Sequence, residues 1–237
     1  MTTIRSIEAQ TPTRNDLVQP FTRADVAQGN ARRLRAGRWA NAMVFLCDHD
    51  GATWVVKDFR PRSWLVRNVI GRLLIRRELG GLRRLQDVPG TPQDAFRVDA
   101  LALAYRFVPG RSLRGLPAEE IPHGFFATLE RNVHEMHARA RLVHLDMRNA
   151  DNIIVTPSGE PFIIDFQSQV GLRWMPGPLR RFAERVDHAS IYKHWAKRSP
   201  ETLGPERRAI LDRINELRPL WAPRGYFGAS SHDHHKH

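Results

Sequence analysis

Three oxygen-bearing side chains in residues 143–168, VHLDMRNADNIIVTPSGEPFIIDFQS, stand where they can act on one ligand. Asn152 immediately precedes the apolar run Ile153-Ile154-Val155. Asp165 directly follows a second run, Phe162-Ile163-Ile164, and the turn-forming TPSGEP lies between them. Antiparallel pairing of the two runs returns Asn152 and Asp165 to the same end of a hairpin. Two such oxygen donors, completed by water and phosphate oxygens, suit Mg²⁺ bound to a nucleotide. Asp146, on the loop just before, reaches the same place and is the candidate to accept or orient the proton of an attacking hydroxyl. Asp151, one position earlier, is the alternative ligand, and Asn152 is preferred because it abuts the Ile153-Ile154-Val155 run.

A second pair lies far upstream. The chain has 37 Lys plus Arg but only four lysines, Lys57, Lys193, Lys197 and Lys236, so Lys57 is the only lysine of the first 192 residues. Glu78 falls at helical spacing between Leu74, Leu82 and Leu85, within an apolar stripe that also includes Ile70 and Leu73. A carboxylate in that position needs a cationic partner, since burying it alone costs several kcal/mol. Lys57 on the neighbouring hairpin is the expected partner.

The elements that must carry these groups are legible from periodicity. Residues 40–46 and 52–59 read as two strands joined at Asp50-Gly51, a hairpin turn with Lys57 near its end. Residues 70–85 read as a helix stopped by the PGTP of residues 89–92, and residues 100–108 as a buried strand broken by Pro109-Gly110. Tyr105 and Phe107 on that strand are candidate nucleotide contacts. Phe125, Leu129, Val133, Met136 and Ala140 form one helical stripe, and residues 179–220 read as two or three helices broken at Ser199-Pro200 and Gly204-Pro205. The expected division is a loose leader at 1–20, a sheet-and-helix lobe at 21–108, a mainly helical lobe at 109–225 and a flexible His-rich tail at 226–237. The fold class is α+β.

Composition excludes several alternatives. With 237 residues, 41% hydrophobic and 26% charged, the chain can build a substantial core and is neither disordered nor collagen-like. Its single cysteine, Cys47, rules out an internal disulfide and suits a reducing cytosol. No run approaches the ~18 apolar residues of a membrane span, and the first residues carry no obvious export signal. A cytoplasmic protein is expected, with contact at the inner face of the membrane as an option. The net charge of +12 favours anionic partners. Residues 171–187 interleave Trp174, Met175, Leu179 and Phe182 with Arg173, Arg180, Arg181 and Arg185. They suit an anionic amphiphile, or else an ordinary amphipathic helix. The eight arginines of residues 60–84 read as a solvated face.

At these residues the chain resembles the protein-kinase-like phosphotransferases, and in size the compact bacterial RIO-type or lipopolysaccharide (Kdo or heptose) kinases, over residues 38–195. The resemblance implies a bilobal fold that binds ATP and Mg²⁺. It assigns Lys57 to the α and β phosphates with Glu78 as its helix partner, and His144 with Asp146 to the catalytic H-x-D. Asn152 and Asp165 become metal ligands, Arg148 is directed at the transferring phosphate, His137 matches the histidine run of the helix before the loop, and Asp187 matches the aspartate that braces the loop from below. The chain departs from the family in four places. Asn152 follows Asp146 by six positions instead of five, and no Gly-rich loop is present beyond Gly29 and Gly37. Gln167 replaces the D-F-G glycine, and Leu145 the arginine that answers an activation-loop phosphate. The implied activity is transfer of the γ-phosphoryl group to a hydroxyl of a glycolipid sugar or of a protein serine or threonine. The alternatives are a pseudokinase binding module and, more weakly, an arginine-rich nucleic-acid binder, for which no base-reading module is recognisable. A histidine metal centre built on His134 and His137 lacks an acidic third ligand at suitable spacing.

Overall fold

The computed structural model describes residues 19–28, 32–35, 42–64 and 66–220. Residues 1–18 of the leader, the His-rich tail, Gly29 and Gly37 therefore lie outside the described residues. The chain divides into two compact units, one holding residues up to Ile75 together with Ala95–Arg106, the other Arg76–Asp94 and the chain from Phe107 onward.

The first unit is a five-stranded antiparallel sheet in the order β1-β2-β3-β5-β4, with a short helix α1 (Arg23–Gln28). Its strands are β1 (Arg32–Arg35), β2 (Met43–His49), β3 (Ala52–Asp58), β4 (Phe96–Asp99) and β5 (Ala102–Arg106). Asp50 and Gly51, both at positive φ, make the tight turn between β2 and β3, as the Asp-Gly signal predicts. Strand alternation then sorts the side chains onto two faces. Trp54 and Val56 of β3 join Ala102 and Ala104 of β5, Phe96 and Val98 of β4, Phe21 and Cys47 in one apolar cluster. Phe21, Trp54 and Phe96 meet edge-to-face with centroids 5.0–5.6 Å apart, and each such buried ring contributes on the order of 1.5–3 kcal/mol. The opposite pleat carries Val55, Lys57, Leu103 and Tyr105, all buried. β3 is paired on both edges, and its Lys57 is only 4% exposed.

The second unit contains α2 (Arg72–Arg84) from residue 76 on, α3 (Phe125–Glu135), α4 (Gly177–Arg198), α5 (Pro200–Leu203) and α6 (Pro205–Leu217). Its short strands are β6 (Arg111–Ser112), β7 (Leu142–Val143), β8 (Ile153–Val155), β9 (Pro161–Ile163) and β10 (Val170–Gly171), paired β6-β8-β9 and β10-β7. The predicted stripe on α3 is realised in full: Phe125, Leu129, Val133, Met136 and Ala140 are all buried. So are the predicted helix breaks, with proline at the first positions of α5 and α6. The stripe on α2 holds from Glu78 onward, where Glu78, Leu82 and Leu85 are buried as expected, and departs only at its start. Ile75, Glu78, Leu79 and Leu82 are buried, whereas Leu73 is 66% and Ile70 37% exposed. The segment Val66–Gly71 is a π-helical turn, so Ile70 lies in a different winding from the α-helical residues that follow.

Glu130, Arg207, Tyr192 and Trp195 clasp α3, α4 and α6. Arg207 donates to Glu130 at 2.8 Å and lies over the Trp195 ring, and the Tyr192 hydroxyl donates to the same carboxylate. Gly90 adds a further strand-like contact by accepting from Ile163 N–H at 2.7 Å. At φ +67, with a Cβ that would stand 2.6 Å from Pro161 O, that position requires glycine. No helix among the described residues is long and apolar enough to cross a membrane.

Candidate active site

β8 and β9 pair Ile153 with Ile163, and Ile164 N–H donates to Asn152 O at 2.9 Å, so the hairpin brings Asn152 beside the segment that enters Asp165. Asn152 is 2% exposed, and its amide Nδ2 donates to both Asp146 Oδ2, at 2.8 Å, and Asp146 O, at 3.0 Å. The six-position interval from Asp146 is absorbed by a 3-10 turn, Ala150–Asn152, capped by the Asn149 side chain. Asp151 points elsewhere: Arg114 Nε and Ser112 Oγ hold its carboxylate at 2.7 and 3.0 Å. Ser112 and Arg114 carried no signal in the sequence, because their contacts with Asp151 span 39 and 37 residues.

His144 joins the two halves of the site. Its Nε2 lies 3.0 Å from Ile164 O, and Asp146 N–H lies 3.2 Å from its Nδ1. The carbonyl can only accept and the amide can only donate, which fixes the neutral Nε2–H form. The ring also packs edge-to-face on Phe166 at 4.7 Å. Asp165 itself adopts a left-handed backbone, φ +66, which aspartate tolerates better than most residues, so Gln167 in the following 3-10 turn needs no positive φ. Burial pushes the Asp146 carboxyl above the usual carboxylate range, and Asp165 acts in the same direction. The hydrogen bond from the Asn152 amide opposes them. Asp146 and Asp165 are therefore near enough to repel.

Below the loop, α4 presents Asp187 at 0% exposure. Its carboxylate accepts from His144 N–H at 2.7 Å and Leu145 N–H at 2.8 Å, with His137 Nε2 at 3.0 Å. Leu145 sits at φ +64, a costly conformation for a branched side chain, and its bonded N–H helps to hold it there. His194 of the same helix supports the loop at Met147 O, 2.9 Å away. Arg148 donates to Asn215 of α6 at 3.3 Å, and burial with nearby Arg218 lowers its pKa. Gln169 was also invisible in the sequence. Its Nε2 donates to Arg77 O of α2 at 2.9 Å, and Arg77 donates back to Gln169 O. Gly81 leaves the room, since a Cβ there would stand 1.8 Å from Gln169 Nε2. The Gly80-Gly81 pair inside a helix was the available clue.

Lys57 and Tyr105 belong to the first unit and Glu78 and Phe107 to the second. Glu78 is 2% exposed on the inner side of α2, and Phe107 is half-buried just past β5.

Burial holds the His194 imidazole down at about 4, which has a measurable consequence. In the unfolded chain the ring titrates near 6.5, so as pH falls the unfolded state takes up the proton first. Stability present above about pH 6.5 is lost as pH drops towards about 4, by roughly 3 kcal/mol. Urea unfolding across this range should show the decline, and His194→Gln, which keeps an N–H donor but cannot titrate, should flatten it. An unchanged slope in the variant would exclude His194 as its source.

No cluster of three or more His, Cys, Asp or Glu able to hold a metal lies among the described residues. A cation here would rely on Asn152 and Asp165 plus the oxygens of its own ligand, a donor set that fits Mg²⁺ carried by a nucleotide better than a resident structural metal. No protein-family model matches the chain, and no curated protein matches it significantly. Solved structures do. A complex of the Rio2 kinase of Chaetomium thermophilum with ADP/Mg²⁺ and phosphoaspartate is 19% identical with a TM-score of 0.56, over 80% of this chain and 63% of that one. A second structure of the same kinase gives the same identity and TM-score over 80% and 65%. The chain thus spans a little under two thirds of the length of either. The likeness, together with the antiparallel sheet and the helical second unit, establishes that the chain has the protein-kinase-like fold.

Proposed function

We propose that the chain is an ATP- and Mg²⁺-dependent phosphotransferase that moves the γ-phosphoryl group to a hydroxyl acceptor. The observation that carries this reading is the convergence of Asp146, Asn152 and Asp165 at one end of the β8–β9 hairpin, with Asn152 bonded to Asp146 at 2.8 Å. A binding scaffold has no physical need for a carboxylate of raised pKa beside two further oxygen donors. In this reading Lys57, paired with Glu78, binds the α and β phosphates, and Tyr105 and Phe107 line the nucleotide. Asn152 and Asp165 hold Mg²⁺, which supplies charge neutralisation on the phosphates.

Asp146 orients the acceptor hydroxyl and receives its proton as the acceptor oxygen bonds to the γ phosphorus and the bond to the departing ADP oxygen breaks. Arg148 offsets charge on the moving group once released from Asn215. The acceptor is the hydroxyl of an anionic glycolipid, such as a Kdo or heptose sugar of a bacterial lipopolysaccharide core, or of a protein serine or threonine. The setting is the cytoplasm with peripheral contact at the inner membrane face. Specific nucleic-acid binding is not expected.

Incubation with γ-labelled ATP and Mg²⁺, alone and with fractionated bacterial glycolipid or protein, identifies the acceptor by where label appears. Asp146→Ala should retain nucleotide binding by calorimetry while transfer falls by roughly 10²–10⁴-fold. Nucleotide binding with no label on any acceptor would support the pseudokinase alternative. Undiminished transfer in the variant would remove Asp146 from the mechanism.

A further inference from the structure

The second unit carries an arginine-lined surface that the phosphotransferase reading does not use. A cavity of about 770 Å³ is lined by Arg84, Arg139, Arg141, Arg173 and Arg180, with Trp174 at its edge. A second depression of about 540 Å³ shares Arg84 and Gly171 and adds Arg76 and Arg77. Among the described residues, no aspartate or glutamate lines either one. The fold forces these cations together. Arg141 turns the chain at φ +53 between the end of the α3 segment and β7, and its carbonyl accepts from both Arg84 Nη2 at 2.8 Å and Leu172 N–H at 2.7 Å. One peptide oxygen thereby anchors the last turn of α2 beside the segment that carries Arg173. Gly171 permits the approach, since a Cβ there would stand 3.1 Å from Arg84 Nη1.

The neighbouring carboxylates do little to neutralise the group. Arg139 is 3.8 Å from Glu135 and Arg180 3.4 Å from Glu184, both pairs within one helical segment and partly exposed. Burial lowers the Arg84 pKa, and the nearby Arg173 charge adds to the shift. An anion entering the cavity would relieve that repulsion, and arginine suits the multiple oxygens of a phosphate.

Two apolar side chains flank the same arginines. Trp174 is 88% exposed, with the Arg173 guanidinium over its ring, and Leu179 at the start of α4 is 52% exposed. Tryptophan is among the most buried residues on average, and when exposed beside basic residues it suits the polar–apolar boundary of a bilayer. Leucine has no face on which a base could stack, so the pairing of Leu179 with Trp174 favours lipid over single-stranded nucleic acid.

We propose that this face docks on an anionic membrane: lipid headgroup phosphates enter the arginine cavity while Trp174 and Leu179 enter the headgroup layer. The proposal assigns residues to the peripheral membrane contact and does not depend on phosphoryl transfer.

The test is co-sedimentation of the full chain with vesicles of neutral phosphatidylcholine alone and of phosphatidylcholine mixed with anionic phosphatidylglycerol. Binding is expected only to the mixed vesicles. Arg139→Glu with Arg173→Glu should weaken it by roughly tenfold or more. The charge-matched pair Arg131→Glu with Arg213→Glu, exposed on α3 and α6, should change it by less than about twofold. Trp174→Ala should weaken vesicle binding while leaving the thermal shift caused by inorganic pyrophosphate unchanged. Four results would each overturn the proposal: no binding to mixed vesicles, equal losses in the two double variants, vesicle binding insensitive to Trp174→Ala, or tighter binding of single-stranded RNA that Arg139→Glu with Arg173→Glu abolishes. Pyrophosphate binding without vesicle binding would reassign the cavity to a soluble anion. Unchanged circular dichroism in every variant separates these results from misfolding.

Discussion

Asp165→Ala should reduce phosphoryl transfer to background, a loss of roughly 10³-fold or more. The hairpin ends at Asp165 with its backbone already in the left-handed region, and Ile164 N–H and O are tied to Asn152 O and His144 Nε2 at 2.9 and 3.0 Å. Its position is therefore set by main-chain bonds that alanine leaves intact. What alanine removes is the carboxylate, and with it one of the two proposed cation ligands. Nucleotide affinity should lose most of its dependence on Mg²⁺, measured by calorimetry with and without the metal, while the unfolding midpoint should fall modestly, because alanine tolerates the left-handed backbone less well than aspartate. Asp165→Asn should recover part of the activity at high Mg²⁺, since an amide oxygen is a weaker but competent ligand. Wild-type turnover in Asp165→Ala would refute the metal assignment.

Asp187→Ala should cost the fold about 3–5 kcal/mol, the range for breaking a buried charged network by removing one partner. The carboxylate is wholly inaccessible and is bonded to two backbone N–H groups and one imidazole. Without it, two buried N–H groups lose their acceptor and Leu145 loses the bond that helps to hold its left-handed backbone. Asp187→Asn keeps one oxygen and should cost less than the alanine change. Urea denaturation checks both variants. A cost below about 1 kcal/mol for alanine would mean that water or relaxation replaces the lost acceptors. Any residual activity should fall further than stability, because the N–H groups of His144 and Leu145 bound the loop that carries Asp146.

Much of the second unit was legible because its signals are local. The alternation of apolar runs and turn residues defined β8 and β9, and proline and glycine placed the breaks between α4, α5 and α6. The hairpin logic that joins Asn152 to Asp165 needs only the period of a strand and a turn. The exposure of Ile70 and Leu73 at the start of the stripe was not legible, since the π-helical turn at Val66–Gly71 carries no composition signal. The sequence favoured Asn152 over Asp151 only through its place against the Ile153-Ile154-Val155 run. They are separated by Arg114 and Ser112, which approach Asp151 from a segment 37 and 39 residues earlier.

From its residues alone this protein determined which side chains are chemically able to act, because charge, ligand type and burial tendency belong to individual residues and to short-period patterns. Only the tertiary structure decided which of them meet. It threaded Asn152 onto Asp146, set Asp187 beneath the loop, joined Gln169 to α2 and gathered arginines from three separate segments around one cavity. Those outcomes depend on pairings across tens of residues, whose energies are summed over the whole core and are carried by no local stretch of chain.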